Sequence, residues 1–164
     1  MPSPQRRVTA FMGTIIFTVV APFTFCGIFP RMIWRSLTAI TGVEAWAARG
    51  VIAIGILIYL FTAFWSFAIV SGGTPAPVFP TQKLVVFGLH RYVRNPMYIG
   101  VSLIILGQAW LFHSLEIFLY LLVFFSAAAL FVRFYEEPAL KKQFGEEYER
   151  YKTDVPRWIP KIRF

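Results

Sequence analysis

Two short stretches of this chain hold residue types that could do chemistry at the edge of apolar segments. The first runs Gly88-Leu89-His90-Arg91-Tyr92-Val93-Arg94-Asn95-Pro96-Met97-Tyr98-Ile99-Gly100. It gathers two arginines, a histidine, an asparagine and two tyrosines at the mouth of an apolar run. Arginine and histidine beside a helix N-terminus make a site for an anion or a carboxylate. The second is Glu136-Glu137-Pro138, followed by Phe144-Gly145-Glu146-Glu147-Tyr148 and Tyr151. Adjacent carboxylates repel and are costly to bury, so a bundle-facing Glu136 or Glu137 needs a cationic or hydroxyl partner. Brought together, the two stretches form a pocket with arginine on one wall and carboxylate on the other, suited to a zwitterionic ligand carrying hydroxyls.

Each residue also has a plainer role. Arg91 and Arg94 suit positive-inside anchors, Tyr92 and Tyr98 interface aromatics, and Asn95 a helix cap. Glu136 or Glu137 suits a structural ion pair with Arg133 or Arg94. The density of such residues favours a site over the sum of these parts.

The elements that must position them are apolar. The residues are 57% hydrophobic and only 15% charged, which predicts an all-α integral membrane protein. A membrane helix needs about 20 mostly apolar residues. Four runs qualify, at about 8–30, 50–71, 96–112 and 115–133, in a single membrane domain spanning 1–164. The first resembles a signal peptide in its opening but contains Pro22 and bulky residues before Cys26, so it is expected to be retained. Asn95-Pro96 is a helix-start signature for the third. Phe112-His113-Ser114 separates the last two, predicting a tight helical hairpin. Residues 36–48 suit an interfacial helix, and the Pro- and Gly-rich 72–82 a non-helical connector. Leu140, Phe144, Tyr148 and Tyr151 recur at helical spacing, predicting a C-terminal amphipathic cytoplasmic helix.

Lys and Arg outnumber Asp and Glu by 16 to 8. The charges sit between apolar runs, so headgroups explain them and nucleic acid is not an expected partner. Four spans put thirteen basic residues on the side of both termini and three (Arg31, Arg35, Arg49) on the other, predicting cytoplasmic N- and C-termini in an inner or plasma membrane of bacterial type. The single cysteine, Cys26, excludes an internal disulfide, and no His, Cys or carboxylate spacing suggests a metal site.

The two stretches, with Leu140, Phe144-Gly145, Glu147-Tyr148, Tyr151 and Val155-Pro156, resemble the membrane-embedded methyltransferases: the isoprenylcysteine carboxyl methyltransferases and the phospholipid N-methyltransferases. The resemblance covers residues 83–160, the expected cofactor-binding portion. It implies methyl transfer dependent on S-adenosyl-L-methionine at the cytoplasmic membrane face. The cofactor pocket would be formed by the last spans and closed by the C-terminal segment, without a Rossmann domain. Carried over by position, His90, Arg91, Tyr92, Arg94, Asn95, Pro96, Tyr98 and Gly100 would form one wall. Glu136, Glu137 and Tyr148 would form the other, with Arg94 and Glu137 as the catalytic candidates. Asn95 stands where the isoprenylcysteine branch often has His, and matches the Asn common in bacterial and phospholipid-like members.

The acceptor expected is a lipid or other small hydrophobic molecule reaching the pocket from between helices; O-, N- and S-methylation all stay open. Gly100 and Gly107, two turns apart on one helical face, suit close packing or room for a chain. Two other readings are a sterol-reductase-like enzyme using NADPH, against which the short chain counts, and a non-enzymatic membrane scaffold.

Overall fold

In a computed structural model, residues 4–33, 38–65 and 84–160 are described, and all regular structure among them is helical. Helix α1 (Pro4–Phe23) runs through a π turn (Thr24–Ile28) into α2 (Phe29–Ile33). Helix α3 (Val43–Leu60) follows, then a 3-10 turn (Gly88–Arg91) and α4 (Pro96–Leu111). Helix α5 (Leu115–Phe131) continues through a second π turn (Val132–Glu136) into α6 (Glu137–Phe144), and α7 (Glu146–Asp154) ends the helical part. Among the described residues, three helices are long and apolar enough to cross a membrane: Phe11–Ile33, Val43–Trp65 and Leu115–Phe144. The fourth expected span corresponds to α4, which is apolar but has only 16 residues. The connector predicted at 72–82 lies outside the described residues.

Helix α3 begins at Val43, ahead of the predicted boundary at Gly50, and absorbs half of the segment read as an interfacial helix. The reason is packing. Ala45 and Ala48 are buried against Leu111 at the end of α4, and the Ile40 N–H donates to the Leu111 carbonyl at 2.9 Å. Arg49 does not interrupt the helix, because its guanidinium lies over the Trp46 ring, 5.2 Å from the centroid.

The closest packing joins α3 to α4. A Cβ on Gly55 would lie 2.6 Å from the Gly100 carbonyl oxygen, and one on Gly100 would lie 2.9 Å from the Gly55 oxygen. Real Cβ atoms do not approach backbone so closely, so both positions need hydrogen there and the two backbones touch. Lower on the same seam, a Cβ on Gly107 would meet Ile52 Cγ1 at 2.6 Å and the Ala48 oxygen at 2.9 Å. Tyr59, Ala63, Val101, Ile105, Ala109 and Ile117 complete the buried core of these helices and α5.

Helices α4 and α5 form a hairpin joined by residues 112–114. His113 takes a left-handed φ of 45° there, and the Ser114 hydroxyl caps α5 by accepting from the Ile117 N–H at 3.2 Å. The π turn after α1 leaves carbonyls for its neighbours: Gln108 Nε2 donates to the Cys26 oxygen at 2.7 Å, and the Tyr120 hydroxyl to the Phe25 oxygen at 3.0 Å. The single amphipathic helix predicted after residue 134 is divided. Gly145 adopts φ 55°, ψ −125°, ending α6 through its N–H to the Lys141 oxygen (2.9 Å) and starting α7 at an angle to it.

Candidate functional site

The polar residues collect at the N-terminal end of α4. Gly88, at φ 60°, opens the 3-10 turn that reverses the chain. Residues 92–95 then lead into α4, with Asn95 at its N-cap position and Pro96 first in the helix. Asn95 does not cap with its side chain; its Nδ2 donates to the Arg157 carbonyl at 3.1 Å instead. This loop is sandwiched under the C-terminal segment. The Arg94 N–H donates to the Pro156 oxygen at 2.9 Å, and the Tyr151 hydroxyl to the His90 oxygen at 2.7 Å.

The Arg94 side chain is 10% exposed and the Glu137 side chain 13%, and they form an ion pair with Nη1 to Oε1 at 2.9 Å. The same Nη1 donates to the Tyr148 hydroxyl at 3.3 Å, and Tyr148 is 2% exposed. A second guanidinium completes the cluster: Arg157 donates through Nε to Glu137 Oε1 at 2.7 Å and through Nη2 to Oε2 at 2.9 Å. The neighbouring Glu136 takes a different partner, accepting from the Tyr98 hydroxyl at 2.6 Å. One carboxylate is thus held by two arginines and the other by a phenol.

Burial sets the protonation states around the cluster. It pushes the His90 imidazole down to about 4, so the ring is neutral near pH 7. Burial, reinforced by Glu137, raises the Tyr148 phenol, and burial also raises that of Tyr151. Both therefore stay protonated: Tyr151 donates its proton to the His90 oxygen, and Tyr148, which accepts from Arg94, keeps its own to donate. The two hydrogen bonds to Glu137 hold the Arg157 guanidinium charged.

A cavity of about 730 Å³ opens beside this cluster. His90, Arg94, Asn95, Pro96, Tyr98, Glu136, Glu137 and Tyr148 all line it. Eight of the sequence-predicted residues therefore share one space. The remaining three do not reach it: Arg91 and Tyr92 are exposed, and Gly100 is spent on the seam with Gly55. Most of the remaining wall is apolar, with Phe17, Ala21 and Phe25 from the first helix and Phe124, Ala127 and Phe131 from α5. Sequence reasoning missed Arg157, which counted only as an orientation charge, and Gln143, which lines the cavity from α6. Trp158 packs on Phe125 (4.9 Å between centroids) and Tyr98 (6.3 Å). The Val-Pro dipeptide before Arg157 was the one visible sign that the chain turns back there.

The arginine–glutamate contact realises the plain ion-pair reading of Glu137, but in a cavity wall rather than in a closed core. A family model for phospholipid methyltransferase matches residues 43–147. The chain belongs to the phospholipid methyltransferase family. No curated protein and no solved structure matches it. The matched segment of this phospholipid methyltransferase family member starts at the first residue of α3 and includes Arg94, Glu136 and Glu137. The family thus extends to α3, where the sequence shows no motif of its own, and Tyr148 and Arg157 lie beyond the matched residues. With its membrane-length apolar helices, the chain is an integral membrane protein of a family of lipid methyltransferases.

Two features of the donor set bear on the cofactor that the resemblance implies. Arg94 Nε is buried and has no hydrogen-bond partner among the described residues. A buried guanidinium with a donor left over suits a ligand carboxylate. Glu136 retains acceptor capacity beyond its bond to Tyr98, which suits hydroxyls or an ammonium group. The cavity volume lies in the range of small-molecule sites. These residues fit a zwitterion bearing hydroxyls.

Proposed function

We propose that this chain transfers a methyl group from S-adenosyl-L-methionine to a lipid or another small hydrophobic acceptor at the cytoplasmic face of the membrane. The observation that carries the reading is the placement of Arg94 beside Glu136 and Glu137 in one cavity whose remaining wall is mostly apolar. Arg94 would hold the cofactor's carboxylate, and the glutamates its amino or ribose groups. When bound, the cofactor supplies a methyl group already activated by a sulfonium.

The chain's own tasks are then binding, alignment and exclusion of water. Tyr148 acts as a fixed hydroxyl donor at the polar end, and Tyr151 braces the loop through its bond to the His90 oxygen. The aromatic and alanine wall between the first helix and α5 takes the acceptor's apolar tail. An acceptor that is a carboxylate or thiolate needs no base. An amine must lose a proton first, and Glu136 suits that task better than His90, whose burial makes it a weak base. The thirteen basic residues on the side of the termini support a cytoplasmic site.

Calorimetric titration of the full chain in detergent with S-adenosylhomocysteine tests the reading. Wild type should bind. Arg94→Ala should weaken binding about 100-fold, in line with loss of a buried charge-assisted contact. Binding of NADPH in its place would favour a reductase, and binding of neither would leave a scaffold.

A further inference from the structure

Arg157 contacts both oxygens of Glu137 but does not itself line the cavity. It stands behind the carboxylate, 32% exposed. The strap that carries it, residues 155–160, leaves α7 and lies across the polar end of the bundle. Its other anchors are the Pro156 oxygen on the Arg94 N–H (2.9 Å) and the Arg157 oxygen on Asn95 Nδ2 (3.1 Å). Trp158 adds its packing on Phe125 and Tyr98. Every anchor is therefore a cavity residue or the neighbour of one.

We infer that Arg157 is a positioning residue: by holding both oxygens of Glu137 it fixes that carboxylate in the cavity wall and ties docking of the 155–160 strap to occupancy of the site. The inference rests on the cofactor reading for the identity of the ligand, but not for the latch itself. Undocking the strap breaks the Arg157–Glu137 and Pro156–Arg94 contacts together. Glu137 is then left with Arg94 alone and is free to rotate, and the polar end of the cavity opens to water. A ligand that needs Glu137 in place binds the docked state better, and by linkage it holds the strap down. The bidentate geometry matters, because two points fix the carboxylate plane and a single ammonium fixes only a distance. Arg157 and Trp158 lie beyond the residues that the family model matches.

Two measurements on the full chain in detergent test the latch: S-adenosylhomocysteine affinity, and hydrogen–deuterium exchange of the peptide carrying Arg94, whose N–H reports strap docking. Arg157→Ala should weaken binding about 10-fold or more and speed exchange at Arg94 by a similar factor. Arg157→Lys should recover part of both. In a Glu137→Gln background, Arg157→Ala should add less than about 2-fold, because the two side chains act through one contact. Bound S-adenosylhomocysteine should slow exchange at Arg94 in wild type and much less in Arg157→Ala. Wild-type affinity and exchange in Arg157→Ala would overturn the inference, as would a full loss that persists in the Glu137→Gln background. If wild type does not bind S-adenosylhomocysteine, the cofactor reading falls. Exchange in ligand-free Arg157→Ala then decides the latch, acceleration upholding it and identity with wild type overturning it.

Discussion

Helix α4 has two faces that do opposite things. Toward α3 it is closed so tightly that Gly55 and Gly100 meet through their backbones. Toward the first helix and α5, Met97, Tyr98 and Val101 border a cavity of about 730 Å³. Tyr98 and Gly100 are two residues apart and belong to different worlds. The dry seam leaves α4 no freedom to slide, and this is what lets a loop of ordinary loop residues hold Arg94 and Asn95 in register with Glu137. On the other side the wall is the first helix, most of whose apolar residues are exposed, among them Ile16, Val19, Val20 and Phe23. The cavity is thus built between one closely packed partner and one whose outer face is largely exposed.

The largest effect should come from breaking the seam. Gly100→Leu places a branched side chain where even a Cβ would be 2.9 Å from the Gly55 oxygen. It should cost more than about 3 kcal/mol and lower both thermal stability and ligand binding. If Gly100→Leu melts with wild type in detergent, the seam is not what holds α4.

Acid should separate the two faces. Burial lowers His90 to about 4, so the unfolded chain, with its histidine near 6.5, binds more protons between those values. Stability should therefore fall as pH drops from 7 toward 4, by up to about 2 kcal/mol at pH 5. Hydrogen exchange should rise first around residues 84–95 and not along α3. His90→Gln should flatten the dependence; an unchanged slope in that variant would assign the loss to other groups.

The smallest effect on stability belongs to the first-helix wall. Phe17→Ala should cost under about 1 kcal/mol, well below a core deletion, because the residue faces cavity and lipid rather than packed protein. Its readout is selectivity: the variant should shift which acceptor chain lengths are methylated fastest, while S-adenosylhomocysteine affinity stays within about 2-fold. An equal loss for every acceptor would mean that Phe17 supports the fold rather than the tail.

Much of this was legible in the residues. Charge-free runs located the apolar helices, Asn95-Pro96 marked a helix start, and Arg94 with the paired glutamates pointed to one pocket. What escaped depended on partners far along the chain. Gly55 looks like any glycine in an apolar run until Gly100 is set against it. Arg157 is one of eight basic residues after the last apolar run, and counting charges cannot say which of them turns back onto a carboxylate. The start of α3 was missed because Arg49 reads as a boundary, while Trp46 shelters it. The break at Gly145 was hidden by an unbroken row of helical spacing, since that row continues in space even though the backbone does not.

The shortness of α4 has a consequence for the membrane itself. Sixteen residues rise about 24 Å, several ångströms less than the roughly 30 Å of hydrocarbon in an ordinary bilayer. Such hydrophobic mismatch is relieved by thinning the leaflet around the helix or by drawing polar flanks inward. Thinning of that kind would bring headgroups nearer the level of Arg94 and Glu136. On the proposed reading, part of the work of bringing a lipid acceptor to the cavity would then fall to the bilayer's own deformation.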